Sequence, residues 1–205
     1  MTSSDGVLLF GGAFNPPHRS HHRVLRHAQA TLPISDTIIL PTGRHPLKES
    51  SDLAADAARM EFCQIAFQDL PDIRISDFDL LRPGPAYTVD TLSEMGSRFP
   101  GRALFWLIGA DNLRSLDQWH RHHQLLTAAT LVTFPRAGYQ ITRSELNKLN
   151  LSDQEMDKLL AHVLDVEADA VSATSIRAAI ARGERPPEVD PAVMDRILEL
   201  GLYNS

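Results

Sequence analysis

The sequence predicts an α/β protein, a doubly wound parallel sheet with helices on both faces and a C-terminal helical portion. Three observations carry that prediction. Short runs that are almost wholly apolar, Val7–Phe10 and Leu104–Ile108 above all, suit strands buried on both faces. Segments of helical period separate such runs, so strand and helix alternate along the chain. The first strand runs through Gly11-Gly12 and Pro16-Pro17 into a helix, the kind of junction at which open sheets of this class bind ligands.

The elements follow in order. Strand Val7–Phe10, helix Arg19–Ala30 and strand Thr37–Leu40 lead to a loop containing Pro41, Gly43 and Pro46. Leu53, Ala57, Met60, Gln64 and Phe67 recur at helical spacing, with Asp52 placed as the cap. Ile73–Asp77 alternates as a strand does, and Asp77–Pro85 reads as a polar, proline-rich connection. Helix Thr88–Arg98, strand Leu104–Ile108, a short helix from Asp111, a helix near Trp119–Leu126 and strand Thr130–Phe134 complete the alternation. From Thr142 the chain turns polar, with helical spacing through Leu146, Leu149, Leu159 and Leu160 and a weak strand signal at His162–Val166. Ser172-Ala173-Thr174-Ser175 offers a hydroxyl cap to the helical run Ala178–Ala181. Asp190-Pro191 starts the last helix with cap and proline in their preferred order.

Composition bounds the function. A chain of 205 residues, 43% hydrophobic, suits one domain over residues 1–205, with the helical part from about 142 to 205 packed on it. A formal charge of −6 argues against a nucleic-acid partner, so an anionic ligand must meet a local positive patch. The lone Cys63 excludes an intramolecular disulfide and reads as a buried thiol. Met1–Asp5 lacks a charged-then-apolar leader, and no run approaches the roughly 18 apolar residues of a membrane span, so a cytoplasmic protein with no membrane partner is expected. A homo-oligomer is compatible with the sequence.

The chemistry concentrates in Phe10-Gly11-Gly12-Ala13-Phe14-Asn15-Pro16-Pro17-His18-Arg19-Ser20-His21. A helix start presents unpaired N–H groups and the positive end of a dipole, which attract anions. His18 and His21 are three apart, so their imidazoles point the same way and can reach one phosphate chain. A dinucleotide fingerprint fails here, because Pro16 occupies the region of its third glycine and the second strand ends in Leu40-Pro41-Thr42 where an acidic residue is needed. The Gly-Lys-Ser/Thr of a Walker A loop occurs nowhere. Trp119-His120-Arg121-His122-His123 does not read as a metal site, since no cysteine lies near and helical spacing spreads the side chains.

The remaining pattern, a glycine turn followed by paired histidines, resembles the GGxFNPxHxGH signature of the nucleotidylyltransferase superfamily. Along nearly the whole chain the sequence is similar to bacterial nicotinate-nucleotide adenylyltransferases. Pro41–Lys48 resembles their proline-rich loop ending in a basic residue, Tyr87–Leu92 their YTxxTL segment, and Ile108–Asp111 with Trp119 their GxD…W block. Phe134–Tyr139 is similar to their RPGY turn and Val171–Arg177 to their ISSTxIR helix start. Three positions depart from the pattern: Ser20 stands for glycine between the histidines, Leu47 for a common histidine and Ala137 for the turn proline.

The resemblance implies a Rossmann-like fold and adenylyl transfer from ATP, with Mg²⁺, to nicotinate mononucleotide in NAD biosynthesis. The catalytic set it implies is His18, His21, Lys48 and Arg177. ATP would meet Gly11, Gly12, Ala13, Phe14, His18, His21, Ile108, Gly109, Asp111, Ser172, Thr174 and Arg177. Nicotinate mononucleotide would meet Asn15, Thr42, Lys48, Thr88, Trp119, His120 and Arg136. No protein-only metal site is implied. Two alternatives stay open: a sibling transferase acting on nicotinamide mononucleotide, phosphopantetheine or a polyol phosphate, and a module that binds ATP without turning it over.

Overall fold

In the computed structural model, which describes residues 5–43 and 53–204, strands and helices alternate as the apolar runs require. They are β1 (Gly6–Gly12), α1 (Arg19–Thr31), β2 (Ile34–Pro41), α2 (Asp56–Ala66), β3 (Ile73–Ile75), α3 (Phe78–Leu81), α4 (Thr88–Arg98), β4 (Leu104–Gly109), α5 (Ala110–Leu113), α6 (His122–Ala128), β5 (Thr130–Phe134), α7 (Arg143–Leu146), α8 (Asp153–Ala161), α9 (Ala173–Ala181) and α10 (Pro191–Glu199). The strands form one sheet in the order β3-β2-β1-β4-β5, every pairing parallel. Successive side chains of β1 go to opposite faces. Val7 and Leu9 join a core with residues of α4, α6 and α8, whereas Leu8 and Phe10 join one with Val24, Leu25 and Ala28 of α1. The sheet is therefore covered on both faces.

A third apolar cluster lies off the sheet. Ala58 and Phe62 of α2 pack with Ile176 and Ile180 of α9 and with Val193, Met194 and Ile197 of α10. The C-terminal helices thus divide: α8 rests on the sheet beside β5, while α9 and α10 rest on α2. Ser172 and Asp190 cap α9 and α10 as their positions predict. Cys63 is buried, and burial raises its thiol pKa far above the usual range. Among the described residues no helix is long and apolar enough to cross a membrane.

Several elements differ from the sequence reading. The α2 helix begins at Asp56 with Ala55 as cap, and Asp52 lies outside the described residues. Its buried face is Ala58, Arg59, Phe62 and Cys63, not the stripe through Ala57 and Gln64, which are exposed. A fully buried arginine defeated the apolar periodicity. The connection Asp77–Pro85 contains α3, held because Thr91 donates its hydroxyl to buried Asp79 at 2.6 Å. The helix expected near Trp119–Leu126 starts only at His122, after a 3₁₀ turn at Leu116–Gln118, so Trp119 and His120 are loop residues. His162–Val166 forms a single bridge, Val163 to Thr133, instead of a strand.

Candidate active site

The strand order reverses beside β1, and the carboxyl ends of β1 and β4 open a crevice where such sheets take ligands. The turn leaving β1 is built by crowding more than by glycine flexibility. A Cβ on Gly11 would lie 2.7 Å from the Trp106 ring, so glycine is required there by close approach. Neither Gly11 nor Gly12 has a positive φ. The left-handed backbone falls on Phe14, with φ of 45°. Its buried ring sits edge-on to Phe10 and His21, at centroid distances of 5.4 and 5.1 Å, and this packing holds an otherwise unfavourable conformation.

The next residues set the histidine pair. His18 is the N-cap of α1 and His21 the third helical residue, and their rings stack with centroids 3.8 Å apart. The His18 backbone N–H donates to His21 Nδ1 at 3.2 Å, which assigns the proton of neutral His21 to Nε2. Burial, reinforced by the charge of Arg136 and opposed by Asp169, lowers the His18 pKa to about 4. Burial, then His18 and Arg136, holds His21 well below its ordinary value. Both rings are therefore neutral at neutral pH, each with one N–H to donate. Buried His18 Nδ1 has no hydrogen-bond partner among the described residues.

The pair opens on a cavity of about 650 Å³. Around it the structure brings together most of the residues singled out in the sequence. Gly11, Gly12, Ala13, Phe14, Asn15 and Thr42 line it from the ends of β1 and β2, and Ile108, Gly109 and Asp111 from the end of β4. Thr88, Trp119 and His120 line it from the start of α4 and the loop before α6, and Arg136, Thr174 and Arg177 from the turn after β5 and from α9. Two do not join them. Ser172 is absent from the wall because its hydroxyl caps α9, accepting the Ser175 N–H at 3.1 Å. Lys48 lies outside the described residues.

Sequence reasoning missed the groups that hold this wall in place. Arg59, wholly buried, donates to the carbonyls of Ala13 at 2.9 Å, Thr42 at 2.8 Å and Ala54 at 3.2 Å, and pairs with Asp56. It ties the turn after β1 to the loop after β2. Asn15 is buried, and its Oδ1 accepts from the Ala54 N–H and the Tyr203 hydroxyl while its carbonyl accepts from Arg177. The ring of Tyr87, 4.3 Å from that of His120, forms part of the wall beside Trp119. An arginine between Ala58 and Met60, three residues before Phe62, was the one signal available for Arg59.

Among the described residues no group of three or more His, Cys, Asp or Glu could hold a metal ion. Among the described residues Asp111 is the carboxylate on the cavity wall, with Arg136 Nε 3.7 Å away. That donor set fits a cation carried in by phosphate oxygens.

Fold and site together make this a nucleotidyltransferase. The cytidylyltransferase-like family model matches residues 9–179, and the chain belongs to that family. A probable nicotinate-nucleotide adenylyltransferase of Exiguobacterium sibiricum is 31% identical over 193 residues, 94% of this chain and 95% of the relative. One from Bacteroides fragilis is 29% identical over 93% of this chain and 90% of its own length. The solved Plasmodium falciparum nicotinic acid mononucleotide adenylyltransferase complexed with NaAD shares the fold, with a TM-score of 0.78 over 98% of both chains at 16% identity.

Proposed function

We propose that the protein transfers the adenylyl group of ATP to nicotinate mononucleotide, giving nicotinate adenine dinucleotide and pyrophosphate in NAD biosynthesis. The carrying observation is the stacked, neutral His18–His21 pair, which faces the same cavity as Trp119 and the start of α4. A phosphate oxygen of the mononucleotide attacks the α-phosphorus of ATP, the bond to the bridging oxygen breaks, and pyrophosphate leaves with that electron pair. Phosphate is already a nucleophile, so catalysis reduces to in-line positioning and stabilisation of the charge on the transferring group.

Each residue then has a task. His21, through Nε2–H, and His18 donate to the α- and β-phosphates. Arg177, anchored on the Asn15 carbonyl at 3.1 Å, and Thr174 receive the leaving pyrophosphate. Arg136 adds positive charge beside the histidines, consistent with its effect on both. Lys48 keeps the role of a point charge that the family resemblance gives it. Mg²⁺, held by phosphate oxygens and water with Asp111 nearby, would neutralise charge on the triphosphate.

The acceptor end favours a carboxylate. Backbone bonding inside α4 begins with the Asp90 and Thr91 N–H groups on the Tyr87 carbonyl, which leaves the N–H groups of Thr88 and Val89 and the helix dipole to face an anion. Trp119 offers a flat surface for the pyridine ring. Asn15, with its side-chain oxygen engaged, supports the wall. The test supplies ATP and Mg²⁺ with nicotinate mononucleotide, nicotinamide mononucleotide or phosphopantetheine and measures pyrophosphate and dinucleotide. The nicotinate compound is expected to have a kcat/KM higher by about tenfold or more, because the amide loses a charge-assisted bond. Equal values for the two pyridine nucleotides would overturn the carboxylate assignment, and no pyrophosphate with any acceptor would leave only nucleotide binding.

A further inference from the structure

Ser20 is 3% exposed and stands where the resembling sequences commonly have glycine. A hydroxyl inside a helix ordinarily turns back to a carbonyl of the preceding turn. This one reaches across the molecule instead and donates to Asp169 Oδ2 at 2.7 Å, 149 residues away. The same oxygen accepts from Arg23 Nη2 at 3.2 Å, and the other accepts the Val171 N–H at 2.9 Å. The Asp169 carbonyl accepts the Ala137 N–H at 3.2 Å, and the Val171 carbonyl accepts Arg136 Nη1 at 3.0 Å. Burial works against ionisation of Asp169, yet the bonds from Ser20 and Val171, with Arg23 alongside, keep its pKa below the usual carboxylate range.

What this carboxylate holds is one side of the cavity. Val171 leads directly into Ser172, the cap of α9, whose first turns carry Thr174 and Arg177 to the wall. Arg136, hung on the Val171 carbonyl, is beside it. On the other side of the bond, Ser20 is next to His21 in the first turn of α1. Without the hydroxyl, Arg23 is the remaining side chain of α1 on Asp169, and it is a long, half-exposed one.

We propose that Ser20 is a positioning residue which, through Asp169, fixes the Thr174–Arg177 turn relative to the His18–His21 pair and so sets the grip on the pyrophosphate half of ATP. The inference rests on the adenylyl-transfer reading for the identity of the nucleotide, but not for the acceptor. It demands selectivity: ligands that carry the β- and γ-phosphates depend on the link, and a nucleotide that lacks them does not.

The test is calorimetric binding of ATP with Mg²⁺, inorganic pyrophosphate and AMP to the full chain, as wild type, Ser20→Ala, Ser20→Gly, Asp169→Ala and the Ser20→Ala/Asp169→Ala double variant. Alanine deletes only the hydroxyl and favours the helix. Glycine, the residue of the resembling sequences, carries the test should the alanine variant not fold. ATP and pyrophosphate are expected to weaken roughly three- to tenfold in either Ser20 variant, with AMP unchanged. The double variant is expected to bind ATP no more weakly than Asp169→Ala alone, since both changes cut one link. Unchanged ATP affinity, an equal loss for AMP, or additive losses in the double variant would each overturn the proposal. A wild type that binds ATP but makes no dinucleotide sinks the acceptor reading and leaves this one standing on the variants, whereas one that binds neither ATP nor pyrophosphate sinks both.

Discussion

The hydroxyl of Tyr203 donates to Asn15 Oδ1 at 2.5 Å, joining the end of the chain to the turn that precedes the histidine pair. Tyr203 holds a left-handed backbone, φ of 62°, to make this reach. Burial pushes its phenol up to about 12, so it stays a donor across the working pH range. Asn15 collects on one residue the start of the α2 segment at Ala54, the C-terminal turn and Arg177.

Replacing Tyr203 with phenylalanine keeps the ring and removes the donor. It is expected to lower unfolding free energy by about 1 kcal/mol, the ordinary net worth of one hydrogen bond. Turnover should fall with it, because Asn15 anchors Arg177. Urea midpoints and kcat that both match wild type would show the link to be inert.

The histidine pair carries the largest expected effect. His21→Ala removes a preorganised donor and is expected to lower kcat by roughly 10²–10³-fold. Steady-state pyrophosphate release settles the matter, since turnover near the wild-type value is incompatible with the proposed mechanism.

Acid should weaken the protein in a definite window. The folded-state pKa of His18 is depressed from 6.5 to about 4, so the unfolded chain takes up the proton first as pH falls. Its contribution is fully present above about pH 6.5 and is lost progressively toward pH 4, a difference of roughly 2–4 kcal/mol. His21 shifts in the same direction. Urea denaturation at stepped pH should show the loss in wild type and a shallower one in His18→Gln; parallel curves would contradict the assignment.

Arg59 supports the site through three carbonyls that a lysine cannot reach together. Arg59→Lys strands buried acceptors and is expected to cost about 2–4 kcal/mol in a chemical denaturation series. A loss within about 0.5 kcal/mol, typical of surface changes, would mean that water replaces the fork.

Much of this architecture was legible because its signals are local. Helix Thr88–Arg98 and strand Thr130–Phe134 match their predicted limits, and the three-residue spacing of His18 and His21 translates directly into stacked rings. What escaped depends on contacts between distant segments. The burial of Arg59 depends on carbonyls in the turn after β1 and in the connection from β2 to α2, the Asp79–Thr91 bond that seats α3 spans two elements, and the crowding at Gly11 comes from Trp106 on the neighbouring strand. Ser172 shows a simpler limit: a cap and a ligand contact call for the same residue type, and the geometry gives its hydroxyl the cap of α9.

The third apolar cluster bears on how the protein fails. The helices carrying Thr174, Arg177 and Tyr203's support are fastened chiefly to α2, and the five strands retain their own two cores without them. Such a layer can loosen as a separate cooperative unit. Heating should therefore silence the enzyme while its sheet is still assembled, and cooling should restore it by re-docking two helices rather than by refolding the chain.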